Sequence, residues 1–225
     1  MTASVLTNQN HYSLEERIKP HGARIFPFFF EGAFIKAANI CGVPLSKCET
    51  VIFSGTKAMT DAAIFNAGRV VNFLTVLDNR NDLSIYENHE KNVFRETGLN
   101  ITFRRFDKET VSRAHIIVNL PSSKTGGIFD LYYQKNAVIF DLTNDTAAKN
   151  ELIWKKRGVK IVDSLRISIH GEKIPLNVFE AAFFIKSEQY QRVNLEGISS
   201  DYSDALQVLR QLKNLKARVF SLTYA

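Results

Sequence analysis

Between Val51 and Asp82 the chain reads VIFSGTKAMTDAAIFNAGRVVNFLTVLDNRND, and no other stretch constrains the fold as much. A short β-branched run ending at Phe53 is followed by a turn, a helical segment from Ala58 to Val71, and a second apolar run, Phe73 to Leu77. Two strands joined through one helix pair in parallel, because a parallel neighbour needs a crossover of this kind. The second strand ends in an acid, Asp78, with Asn79 and Arg80 directly after it. In a nucleotide-binding βαβ unit an acid there holds the adenine ribose, and a nearby Arg accommodates the 2′-phosphate of NADP. The turn departs from that pattern. A G-x-G-x-x-G sequence lets backbone pass close to a pyrophosphate, whereas Ser54-Gly55-Thr56-Lys57-Ala58-Met59 holds a single glycine. The stretch announces an architecture more strongly than it announces a bound dinucleotide.

The alternation continues along the chain. A helix starting near Phe30 is stopped by Cys41-Gly42-Val43-Pro44 and leads into a strand from Glu49 to Phe53. Glu87 to Thr97 is a polar-faced helix closed by Gly98, and Ile101 to Phe103 is a third strand followed by a charged turn. The runs His115 to Leu120 and Ala137 to Leu142 are continuously apolar, as strands buried on both faces are. A helix from Lys149 to Arg157 leads through Gly158 to a sixth strand, Val159 to Asp163. Ile174 to Ile185 reads as helix, and after Ser200-Asp201 a Leu206, Leu209, Leu212, Leu215 stripe predicts an amphipathic helix for core packing or a dimer contact. The fold class that follows is α/β: a doubly wound, mostly parallel, Rossmann-like sheet with helices on both faces and ligands at the carboxyl ends of the strands. The organisation expected is an N-terminal arm over 1–27, the α/β domain over 28–190 and a helical extension over 191–225.

A net charge of +6 and a pI near 9.3 favour anionic partners, a dinucleotide or a small anionic ligand. The basic residues are scattered, and the longest cluster, Lys155-Lys156-Arg157, falls where a helix should end and cations suit the dipole. Without a basic stripe, nucleic acid is not the expected partner. Cys41 and Cys48 form neither a disulfide framework nor a metal-ligand pattern, and no activating group lies near them in sequence, so both read as inert thiols. The N-terminal residues lack a signal-peptide pattern, and the apolar burst Ile25 to Phe30 is too short to span a bilayer. A cytoplasmic protein with no membrane partner is expected.

Each candidate residue carries a plain reading beside its functional one. Lys57 is either a phosphate ligand aimed by the turn or an exposed lysine on a helix N-terminus. Asp78 is a ribose ligand or a strand-end turn residue, and Arg80 a 2′-phosphate ligand or a solvated turn arginine. Asp141 and Asp163 end strands at site positions, where turn and capping roles compete. His115 reads as structural, and His170, in His170-Gly171-Glu172-Lys173, as part of a solvated loop.

Taken in order, the pieces from about Phe28 to Phe184 resemble the NADP-binding half of shikimate dehydrogenase. Ala33-Phe34-Ile35-Lys36-Ala37-Ala38 with Gly42-Val43-Pro44-Leu45 resembles that family's helix leading into the Gly-rich turn. Asn79-Arg80 resembles the Asn-Arg pair that grips the 2′-phosphate, and Val118-Asn119-Leu120-Pro121 the loop against the cofactor. Phe140-Asp141-Leu142, Gly158 and Val162-Asp163-Ser164-Leu165 resemble the segment that carries the family's Asp-Leu-x-Tyr-x-Pro sequence and the Asp-Gly-Leu after it. The resemblance implies NADP or NAD held by Ser54, Gly55, Thr56, Lys57, Asp78, Asn79, Arg80, Asn119, Pro121 and Ser122. It carries over no catalytic residue. The family's Asn-Thr-Asp falls at Phe28-Phe29-Phe30, its substrate-contacting Gln falls near Gly171, and its catalytic Lys belongs to a substrate domain with no counterpart in these residues. Two readings follow: an NAD(P)-dependent oxidoreductase acting on something other than shikimate, alone, as a homodimer or with a partner subunit; or a non-catalytic Rossmann-like protein that binds a nucleotide-like ligand or a protein partner.

Overall fold

The structure, a computed structural model, describes residues 22–78, 87–121, 132–143, 158–195 and 202–224. Its centre is a parallel sheet of β1 (Glu49–Phe53), β2 (Phe73–Leu77), β3 (Ile101–Arg104), β4 (Ile116–Asn119), β5 (Val138–Asp141) and β6 (Lys160–Ile169). These strands lie in the order β3-β2-β1-β4-β5-β6, all neighbours parallel. This is the order of a dinucleotide-binding doubly wound sheet. The chain has a Rossmann-like fold.

The strands alternate strictly in which face they bury. Ile52, Ile116, Val118, Val138, Phe140 and Val162 enter one apolar cluster, while Val51, Phe53, Ile117, Ile139 and Ile161 enter the other. Runs that read as uniformly apolar are therefore two interleaved sets, one per face. The larger cluster takes α1 (Phe30–Cys41), α2 (Lys57–Ala67), α3 (Glu87–Thr97) and α5 (Leu176–Lys186). The smaller takes Val111 of α4 (Lys108–Arg113), a short helix where the sequence suggested only a charged turn. Asp107 caps it, accepting from the Glu109 and Thr110 amides. The expected helix over 149–157 lies outside the described residues.

After β6 the structure adds what the sequence reading did not contain. His170 and Gly171, both at positive φ (50° and 92°), reverse the chain between β6 and an antiparallel β7 (Glu172–Pro175). Two consecutive positive φ values are what a tight hairpin needs, so the polar loop around His170 is a hairpin tip. Following α6 (Glu188–Leu195) and α7 (Tyr202–Asn214), the chain end returns as β8 (Arg218–Tyr224), antiparallel to β6. Arg166, Ile167 and Ser168 thus have strand partners in both β7 and β8. The helix expected to begin at Ile174 starts at Leu176, because Ile174 is held in β7. On α7, Ala205, Val208 and Leu212 are buried, with Leu206, Leu209 and Leu215 packed beside them, so the leucine stripe is core packing.

Residues 22–27, expected in an N-terminal arm, are instead buried apart from the exposed Arg24. Ile25, Phe26 and Phe28 to Phe30 are buried, and Phe26 packs edge-on to Phe30 and Phe140 at 6.0 and 5.4 Å between centroids. What draws this segment inward is Glu180 on α5, itself buried. Its carboxylate accepts from the amides of Gly22 (2.7 Å) and Ile25 (3.2 Å) and from the Tyr190 hydroxyl (2.7 Å). A buried charge is tolerable when donors converge on it in this way.

Candidate functional site

The strand order reverses at β1, whose neighbours β2 and β4 leave from opposite sides, and the crevice there is the expected ligand position. Register aligns Leu77, Phe53, Asn119 and Asp141 across four strands at their carboxyl ends. One residue further, the ladder still holds: Ser54 N donates to Leu77 O, Leu120 N to Phe53 O and Leu142 N to Asn119 O. Asp78 lies in that outer row, its amide bonded to Arg104 O, and its side chain is buried. The structure thus brings Ser54, Gly55, Thr56, Lys57, Asp78, Asn119 and Pro121 to one edge of the sheet. Asn79, Arg80 and Ser122 lie outside the described residues.

Inside the β1–α2 turn, several groups that would serve a phosphate are already engaged. Gly55 N donates to the Thr60 hydroxyl (3.0 Å), which donates in turn to Thr56 O (2.9 Å). A threonine four residues into the helix reaches back to do this. Lys57 forms an ion pair at 2.7 Å with Asp61 one helical turn on, and Asp61 is buried. The glycine itself is required by the protein. A Cβ at Gly55 would collide with the Pro121 carbonyl oxygen and lie 2.8 Å from Leu120 Cβ, so the β4 loop closes directly on the turn. What stays open is the helix end. Thr56 is the N-cap of α2 and makes no side-chain cap bond, and no acid stands in the first turn. The first-turn amides carry the partial positive charge that anions seek.

At β4 and β5, Asn119 donates to Asp141 Oδ1 (3.0 Å), and so do the Thr143 amide (3.2 Å) and hydroxyl (2.8 Å). Asp141 therefore fixes Asn119 and closes the turn after β5, which is the turn role weighed for it. His115 accepts from Glu49 N at Nδ1 (3.1 Å) and is structural, as read. Burial pushes the Cys41 thiol up to about 11, with Cys48 adding to the shift, and burial also raises Cys48; both are free and unreactive by this measure. The side chain of Asp163 lies outside the described set. Phe28-Phe29-Phe30, where the resemblance would need polar ligands, face Tyr190, Phe179 and Phe34 in the core.

Thr60 and Asp61 were not singled out by sequence reasoning. The i,i+4 spacing of Lys57 and Asp61 was the available signal for the ion pair. For Thr60 the signal was Thr56-x-x-x-Thr60, which places a hydroxyl over the preceding turn.

No protein-family model matches the sequence, and no curated protein does. Among solved structures the chain is similar to shikimate 5-dehydrogenase from Listeria monocytogenes in complex with shikimate and NAD. That match has 12% identity and a TM-score of 0.41, and covers 60% of this chain and 52% of that one. It is also similar to acetophenone reductase from Geotrichum candidum in complex with NAD, at 14% identity and TM-score 0.41, covering 88% and 52%. L-tryptophan dehydrogenase from Nostoc punctiforme matches at 13% identity and TM-score 0.40, covering 85% and 56%. The chain spans about half the length of these structures. The fold assignment rests on the strand order.

Proposed function

We propose that the chain binds a nicotinamide dinucleotide, NADP or NAD, across the carboxyl ends of β1, β2 and β4. The observation that carries this reading is the uncapped N-terminus of α2 standing at the point where the strand order reverses. In this reading the pyrophosphate lies over Gly55 to Met59. The adenosine end meets Asp78, Asn79 and Arg80, and the nicotinamide end lies beside Asn119, Pro121 and Ser122. Lys57 joins the phosphate only by sharing or leaving Asp61, so its ion pair competes with the ligand. If the protein catalyses, the reaction is an NAD(P)-dependent oxidoreduction on a substrate other than shikimate or quinate. Buried phenyl rings occupy the positions where those acids would need polar groups and a proton acceptor.

A second reading is favoured by the Gly55 contacts. Pro121 and Leu120 already fill the space that glycine opens, which suits a non-catalytic protein that retains the fold as a scaffold or takes a smaller nucleotide-like ligand. Titration with NADPH and NADH, followed by calorimetry, separates the two. Saturable binding supports the first reading. Arg80→Ala should then weaken NADPH at least about tenfold more than NADH, the loss of one charge-assisted phosphate contact. Absence of binding by either dinucleotide favours the second.

A further inference from the structure

A cavity of about 550 Å³ opens between α1, the end of α7 and the start of β8, and it shares no lining residue with the β1–α2 turn. Its size is in the range of small-molecule sites. Four cations line it, Lys36 from α1, Lys213 and Lys216 from α7 and its end, and Arg218 from β8, against a single carboxylate, Glu31. Among the described residues none of the four enters an ion pair. Cations at the end of α7 suit its dipole, which accounts for Lys213 and Lys216. It does not account for Lys36 and Arg218, which two further elements, α1 and β8, bring to the same opening. Between the cations the wall is apolar, with Phe29, Ile35 and Val219.

Lys216 adds an independent sign. It sits just past α7 at φ +53°, with its amide on Lys213 O (2.9 Å) and the Ala217 amide on Leu212 O (3.1 Å). That left-handed position at a helix end is where glycine fits without strain. A lysine there lines the cavity at a cost to the fold.

We propose that this cavity binds a small organic anion, one that joins an apolar group to a phosphate or carboxylate. The apolar group packs on Phe29, Ile35 and Val219, and the anionic group takes the cations. The site is separate from the dinucleotide crevice and does not depend on it.

Calorimetric titration with phenyl phosphate, benzoate and inorganic phosphate tests this. Phenyl phosphate or benzoate should saturate the protein with a dissociation constant below about 1 mM, and the tighter of the two identifies the headgroup. Inorganic phosphate should bind at least about tenfold more weakly, since it has nothing to place on the apolar wall. Lys36→Ala and Arg218→Ala should each weaken binding by about tenfold, one charge-assisted hydrogen bond. Glu31→Gln should tighten it, a gain that misfolding cannot imitate. Lys216→Gly should weaken binding while raising the melting temperature by roughly 2–4 °C, since glycine relieves the backbone strain. Failure of both organic anions to saturate at about 10 mM would overturn the proposal. So would inorganic phosphate binding as tightly as phenyl phosphate, or affinities indifferent to Lys36, Arg218 and Glu31.

Discussion

Removing the Glu180 carboxylate should be among the most damaging single changes in this chain, although the residue hydrogen-bonds to no residue of the candidate site. Glu180 accepts three hydrogen bonds, from Gly22 N, Ile25 N and Tyr190 Oη, and all lie in the buried aromatic core. Glu180→Ala leaves those donors without an acceptor. Each buried donor so orphaned costs about 1–3 kcal/mol, and partial relaxation or water entry brings the expected total to about 3–5 kcal/mol. Glu180→Gln is gentler. One oxygen still serves Ile25 and Tyr190, but an NH2 group now faces the Gly22 N–H, for a loss of about 2 kcal/mol. Tyr190→Phe removes one donor and should cost about 1–2 kcal/mol. Urea unfolding followed by circular dichroism reads these losses. With an m-value of about 3 kcal/mol per M, Glu180→Ala should lower the midpoint by about 1–1.7 M. In the Glu180→Ala/Tyr190→Phe cycle the two effects should fall short of additivity by about 1–2 kcal/mol. A loss below about 1 kcal/mol for Glu180→Ala, or strict additivity in the cycle, would refute the reasoning.

Other outcomes are expected from the same geometry. Gly55→Ala forces its methyl onto the Pro121 carbonyl and Leu120, and should destabilise the fold by about 1–3 kcal/mol in the same urea assay. Asp107 has its carboxyl held below the usual range, chiefly by the Thr110 hydroxyl and then by the Glu109 and Thr110 amides. A depressed folded-state value means the stabilisation is present above the unfolded pKa, near 4, and fades as pH falls through the folded one. Melting curves at pH 7 should show Asp107→Ala lower by roughly 2–4 °C, with the difference shrinking below about pH 4. Cys41, raised to about 11 by burial, should react with a disulfide reagent at pH 8 about a hundredfold more slowly than an ordinary free thiol, as its thiolate fraction requires.

The parallel sheet was legible because its signals are local. β1 and β2 have the bounds Glu49–Phe53 and Phe73–Leu77 that the apolar runs predict, and α3 ends before Gly98 as its C′ glycine implies. What escaped depends on distant partners. β8 carries Val219, Phe220, Leu222 and Tyr224 without a clean alternation, and its pairing with β6, fifty or more positions earlier, is what makes it a strand. β7 is short and polar, and it exists because the His170-Gly171 turn folds it onto β6. Glu180 is one acid in a largely apolar helical run, and nothing in the sequence connects it to Gly22. At the site, the positions of Gly55, Asp78 and Asn119 on one edge followed from the strand pattern. Their existing commitments did not: Thr60 on Gly55, Pro121 over the turn, and Asp141 on Asn119 are side-chain and loop contacts that no spacing rule announces.

A dinucleotide bound as proposed lies over the β1–α2 turn at the strand-order reversal. Amide chemical-shift mapping on the isotope-labelled protein during NADPH titration tests it most directly. The largest saturable shifts are expected at Gly55, Lys57, Met59 and Asp78, with smaller ones at Asn119. Unmoved amides at those positions, or shifts confined to Lys36 and the Lys213 to Arg218 segment, would contradict it.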